Sequence, residues 1–71
     1  QGINVYPTLV YQNEPIHIDA SVLSKISVVD IQGREINFSR NQDAVNISSI
    51  GTYFLHITHQ GKSYTQKICV R

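Results

Sequence analysis

Apolar residues recur at every second position in short runs along this chain, and each run stops at a proline, a glycine or a polar cluster. Period two is the mark of a β-strand with one covered face. Ile3 to Tyr6 reads as a first strand, ended by Pro7, which has no N–H to give to a ladder. Thr8 to Pro15, with Asn13, Glu14 and a second proline, reads as a loop or a sheet edge. Ile16 to Asp19 makes a second strand, Lys25 to Ile31 a third and Arg34 to Phe38 a fourth. Ala44 to Ile47, Thr52 to Thr58 and Ser63 to Val70 complete the set, with Gln60-Gly61 as a tight turn between the last two. A single sheet of seven strands would leave an apolar face in water. The pattern therefore predicts an all-β fold, a small seven-stranded antiparallel β-sandwich.

Parity assigns the faces. Tyr53, Leu55 and Ile57 share one side of the sixth strand and point inward, opposite Thr52, His56 and Thr58. Tyr64, Ile68 and Val70 do the same on the seventh, which leaves Cys69 toward solvent or an edge. The third strand is apolar on both sides, with Ile26 and Val28 against Val29 and Ile31, as suits a central, doubly covered strand.

Composition strengthens the reading. Ile (10), Val (7) and Thr (4) outnumber Ala (2), Leu (3) and Met (0), a balance that favours pleated strands. Seventy-one residues make one domain, and a chain this short buries only about 60% of the surface it exposes when unfolded. The chain opens on Gln1 and enters a strand almost at once, as expected of a domain cut from a larger protein. Six Lys or Arg stand against five Asp or Glu with no basic cluster, so no nucleic-acid partner is expected.

Little in the sequence points to catalysis. Asp30 and Arg34 flank Gln32-Gly33, read as a two-residue turn in which Gly33 takes a positive φ and the flanking charges bond the turn or each other. A corner explains these residues better than a catalytic acid, because no second carboxylate or nucleophile is paired with Asp30. His56 and His59 sit three apart on a strand and point to opposite faces, roughly 10 Å from each other, too far for one metal ion. His17 lies between inward isoleucines and faces out. Cys69 has no activating histidine or helix terminus in view, and no cofactor or metal is expected. Asn37-Phe38-Ser39 and Asn46-Ile47-Ser48 fit the glycosylation tripeptide, which is short enough to arise by chance. No enzymatic activity is expected.

Four stretches in order carry a resemblance: Val5-Tyr6-Pro7; Ile26 to Arg34, with Asp30-Ile31-Gln32-Gly33-Arg34; Ile47 to Ile57, with Gly51-Thr52-Tyr53; and Thr65 to Arg71. Together they resemble the type A C-terminal sorting domain of the type IX secretion system of Bacteroidota. The resemblance implies an immunoglobulin-like sandwich that follows an N-terminal cargo domain, crosses the periplasm and reaches the outer-membrane surface or the medium. It implies shuttle proteins and a type IX translocon as partners, and a surface sortase that removes the domain and joins the cargo to lipopolysaccharide. Gly33, Arg34, Gly51, Tyr53, Lys67, Ile68, Val70 and Arg71 become the candidates for recognition, with Ile68 and Val70 seating the last strand and Lys67 and Arg71 marking its register. A terminal strand can add its backbone to a partner's sheet, and that is the expected mode. Thr8-Leu9 stands where many members have Asn-Pro, which keeps a second reading open: a retained structural or signalling module of the secretion machinery. A further alternative is an accessory or glycan-binding module, for which Tyr11, Phe38 and Phe54 are the available aromatics. The segment from Ser39 to Asp43 reads as a hinge through which a weak, strand-swapped homodimer could form.

Overall fold

The structure, a computed structural model, describes residues 3–19, 25–41 and 44–71. Among the described residues the strands are β1 (Asn4–Tyr6), β2 (Leu9–Val10), β3 (Ile16–Asp19), β4 (Lys25–Asp30), β5 (Ser39–Asn41), β6 (Ala44–Asn46), β7 (Gly51–His59) and β8 (Lys62–Val70). They form two four-stranded sheets in the orders β1-β3-β6-β5 and β2-β8-β7-β4. One apolar cluster joins them. Ile16, Ile18 and Val45 come from the first sheet, Val28, Leu55, Ile57, Ile68 and Val70 from the second, and all are at most 3% exposed. The inward faces expected for β7 and β8 are the observed ones, and His17 is turned from the core with its ring 5.5 Å from that of Tyr6.

Pro7 divides the start of the chain between the sheets. β1 pairs with β3 up to Tyr6; the next residue cannot donate to that ladder. The chain runs on and settles against β8 of the other sheet, where Leu9 pairs with Cys69 and Val10 with Val70. That pairing is parallel, whereas the pattern predicts only antiparallel neighbours. A chain that changes sheet without reversing has its orientation set by the new neighbour.

Three further expectations are corrected. There are eight strands rather than seven, because the short β2 counts beside β1. Arg34 to Phe38 is not a strand: Glu35 makes one bridge to Val29 and the Ile36 N–H donates to the Val28 carbonyl at 2.9 Å. Ile36 and Phe38 still pack on the core, so their alternation is real, but the segment spends it crossing from one sheet to the other. The strand that follows is Ser39–Asn41, within the expected hinge, and it pairs with β6; Gln42 and Asp43 lie outside the described residues. Lastly β4 is an edge, with β7 on one side only, and Ile31 is 71% exposed in the turn beyond it.

Leu55 has no exposed surface and sits on the strand that links β4 to β8. Leu55→Ala is expected to lower unfolding free energy by about 2–5 kcal/mol. Since a small domain is held by roughly 5–15 kcal/mol in all, urea denaturation should show a marginal or unfolded variant.

Candidate functional site

The corner after β4 is built by one carboxylate. Oδ1 of Asp30 accepts from the N–H of Gln32 at 2.9 Å and of Arg34 at 3.0 Å, and Oδ2 accepts from Arg34 Nε at 3.1 Å. The Gly33 N–H donates to the Asp30 carbonyl at 3.0 Å, and the Asp30 N–H to the Arg34 carbonyl at 2.9 Å. Gly33 has φ +84°, a conformation that a side chain disfavours. The connection therefore has three residues, Ile31-Gln32-Gly33, rather than the two expected, with the left-handed glycine in last place. The Arg34 N–H holds the Asp30 carboxyl below its ordinary pKa; partial desolvation opposes this, and the Gln32 N–H and the Arg34 guanidinium add to the lowering.

Gly51 and Tyr53 form a second local device. The Tyr53 ring is buried in the core while its hydroxyl donates to the Ser49 carbonyl at 3.0 Å, tying the start of β7 to the loop before it. Gly51 has φ +155°, and a Cβ there would lie 3.3 Å from Tyr53 Oη. The spacing Gly-x-Tyr thus reflects a glycine that leaves room for the tyrosine's own hydrogen bond.

The end of the chain is clamped on both sides. β8 pairs with β7 over its whole length, from His59↔Lys62 to Gly51↔Val70. On the other side the Cys69 N–H donates to the Thr8 carbonyl and the Arg71 N–H to the Val10 carbonyl, both at 2.8 Å, while the Gln12 N–H donates to the Arg71 carbonyl at 3.0 Å. The loop that holds Arg71 is itself braced. Tyr11 N–H donates to Glu14 Oε1 at 2.8 Å, Asn13 takes φ +65°, and Asn46 Nδ2 donates to the Asn13 carbonyl at 2.8 Å. Sequence reasoning placed a loop or edge here but not its hold on Arg71. Its one legible sign is an Asn before Glu-Pro, a residue type that tolerates positive φ.

Sheet register brings the separated motifs together. Asp30 pairs with Tyr53 and Tyr53 with Ile68, while Gly51 pairs with Val70 and Val70 with Val10. The corner, the Gly51-Tyr53 device and the final residues all sit at one end of the same sheet. Within the group Tyr53, Ile68 and Val70 are buried and act as scaffold; Gly33, Arg34, Lys67 and Arg71 are exposed, and Gly51 is half-buried. Lys67 stands one row in, beside Phe54 and, beyond it, Val29, on the outer face.

Two shallow clefts lie elsewhere. One of about 200 Å³ is lined by Asn13, Asn37, Phe38, Ser39, Asn46 and Ser48, so both glycosylation tripeptides meet there. The other, about 270 Å³, holds Lys25, Ser27, His56 and Thr58. There His56 Nδ1 lies 3.0 Å from Thr65 Oγ1, its neighbour on β8. Among the described residues no three His, Cys, Asp or Glu side chains gather in a metal-binding group.

Tyr53→Phe removes the hydroxyl, with its bond to Ser49 and its longer one to the Ile50 carbonyl at 3.5 Å, and is expected to cost about 0.5–1.5 kcal/mol in chemical denaturation; Gly51→Ala, strained and crowded against that hydroxyl, about 1–3 kcal/mol. Because the folded-state pKa of Asp30 lies below the unfolded one, its contribution is complete above about pH 4 and is lost as pH falls through the folded value. Melting temperature of the parent should thus drop below that point, and Asp30→Asn should start lower and vary less over the same interval. An equal acid dependence in both proteins would refute the role given to the carboxylate.

Comparison with known proteins places these motifs in one family. No curated protein sequence matches the chain. The family model for the secretion system C-terminal sorting domain matches residues 4–71, which takes in the corner, the Gly51-Tyr53 device and the clamped final strand. The chain belongs to the type IX secretion C-terminal sorting domain family.

Proposed function

We propose that this chain is a single address-label domain that follows an N-terminal cargo, is read by the outer-membrane translocon of the type IX system, and is then removed by a surface sortase that joins the cargo to lipopolysaccharide. Membership of the sorting family implies a secretion signal and export to the surface or medium. The observation that carries the finer reading is the gathering of the family-like motifs at one end of one sheet, with exposed Arg34 and Arg71 around buried Tyr53, Ile68 and Val70. A receptor meets one rigid end bearing fixed charges, and the domain needs no chemistry of its own.

The immunoglobulin-like reading draws support from topology. The first strand is split, β1 lying beside β3 and β2 parallel to β8, and the two sheets keep the orders β1-β3-β6-β5 and β2-β8-β7-β4. A tyrosine near the start of β7 bonds a carbonyl four residues upstream, as in the tyrosine corner of such sandwiches.

The departure at Thr8-Leu9 has a structural consequence. Thr8 supplies the carbonyl that receives the Cys69 N–H and Leu9 begins β2, so the clamp on β8 is intact with these residues in place. The departure therefore leaves the fold unchanged, and the family match supports the sorting reading.

A periplasmic reporter fused ahead of this chain, in a host with the secretion system, is expected to reach the surface or medium. Equal retention with and without the domain would sink the proposal. In the same assay Lys67→Ala with Arg71→Ala, both exposed, should melt within about 0.5 kcal/mol of the parent and be exported less. Parental export from that folded variant would remove these two charges from the recognised surface.

A further inference from the structure

The last strand is covered unevenly. β7 lies along all of β8, but β2 touches it only at Cys69 and Val70. Lys62 to Ile68 has no strand on that side, the longest uncovered edge among the described residues. Other edges are blunted: β1 and β5 have three residues each, and β4 carries the bridge to Glu35. Long open edges are templates for another strand unless something protects them.

Register fixes which backbone groups face the gap. The β7–β8 ladder runs without a bulge from the two-residue turn at Gln60-Gly61, where both residues have positive φ, so alternate residues of β8 point to opposite sides. Cys69 and Arg71 give their N–H groups to the β2 side, and by the same alternation Ser63, Thr65 and Lys67 direct their N–H and C=O groups to the uncovered stretch. All three are exposed. The Gln66 side chain folds over so that its Nε2 donates to the Lys67 carbonyl at 3.1 Å, a stopgap for a partner that a neighbouring strand would supply. Lys67 has no acidic partner among the described residues, and the edge from Lys62 to Lys67 contains no acid.

From this we infer that the receptor reads the domain by strand addition on Ser63 to Lys67, with an extended segment that carries a carboxylate beside Lys67 and small or hydroxyl side chains beside Ser63 and Thr65. The inference rests on the sorting reading above and adds a contact along the side of β8, running from Lys67 away from the corner end toward the Gln60-Gly61 turn. The segment continues the line of β2 over about 13 Å of β8, and its N–H displaces the Gln66 amide from the Lys67 carbonyl. Backbone pairing gives affinity, and Lys67 sets the register. The final residues Cys69 to Arg71, already paired with β2, serve as the stop against which the incoming strand abuts.

Thr65→Pro tests this directly. The substitution deletes the N–H at the middle of the open edge and sets a ring in the path of a partner strand, while the bonds of β8 to β7 come from its even-numbered residues and stay. Thr65→Ala keeps the N–H and is the control. With the parent fusion exported, the expected result is that Thr65→Pro melts close to the parent yet loses export at least tenfold, and Thr65→Ala is exported normally. A folded Thr65→Pro exported like the parent, or a Thr65→Ala as defective as the proline, overturns the inference and leaves the sorting function standing. Retention of the parent fusion itself removes both. Hydrogen exchange on the unmodified domain needs no variant to fold: outer-membrane vesicles from a host with the translocon should slow exchange at Ser63, Thr65 and Lys67, and vesicles lacking it should not. Unchanged exchange in both overturns the proposal.

Discussion

Pairing of β8 on both sides is the constraint from which the rest of the domain follows. Ile68 and Val70 reach the core only because the strand is held in register along β7, and Val10 is buried because it lies beside Val70. Through β7 the same strand reaches β4 and the Asp30 corner; through β2 and Pro7 it reaches β1 and the other sheet. Among the described strands it is the one that ties both the start and the end of the chain into the same sheet. In a molecule with a thin core, backbone ladders carry weight that a larger protein would assign to packing.

Two kinds of side chain divide the work at the corner end of the sheet. Tyr53, Ile68 and Val70 fix the backbone by burial, which is insensitive to salt and pH. Asp30 and Arg34 shape the turn by hydrogen bonds and charge, and the Arg34 side chain is 74% exposed, so their mutual attraction is screened and modest. The turn gets its definition from the two backbone N–H groups that the carboxylate receives, and the guanidinium is left largely in solvent, where a binding partner can meet it.

Much of this was legible in the sequence because period-two alternation reports burial directly. Tyr53, Leu55 and Ile57, and Ile68 with Val70, lie where parity puts them. The glycine at the corner and the Gln60-Gly61 turn were legible for a different reason, the steric rule on positive φ. β5 was hidden because Ser39-Arg40-Asn41 has no apolar residue; it exists by pairing with β6. Ile36 and Phe38 misled in the opposite sense, since alternation records contact with a core and not membership of a ladder. Val29 and Ile31 suggested a doubly covered strand, yet β4 is an edge whose outer face is only partly sheltered. The recognition candidates came from a resemblance, and the geometry added what no motif could: three of them are interior, and the open edge beside Lys67 precedes the terminal residues.

Val10 and Val70 are neighbours in space though they stand near opposite ends of the chain. When the polypeptide emerges from its N-terminal side, β2 has nothing to pair with and β7 lacks its longer partner until β8 arrives. Contacts of such long sequence separation form late and slowly. The second sheet is therefore completed only once β8 is in place between β2 and β7. Until then β2 has no ladder and β7 is paired with β4 alone.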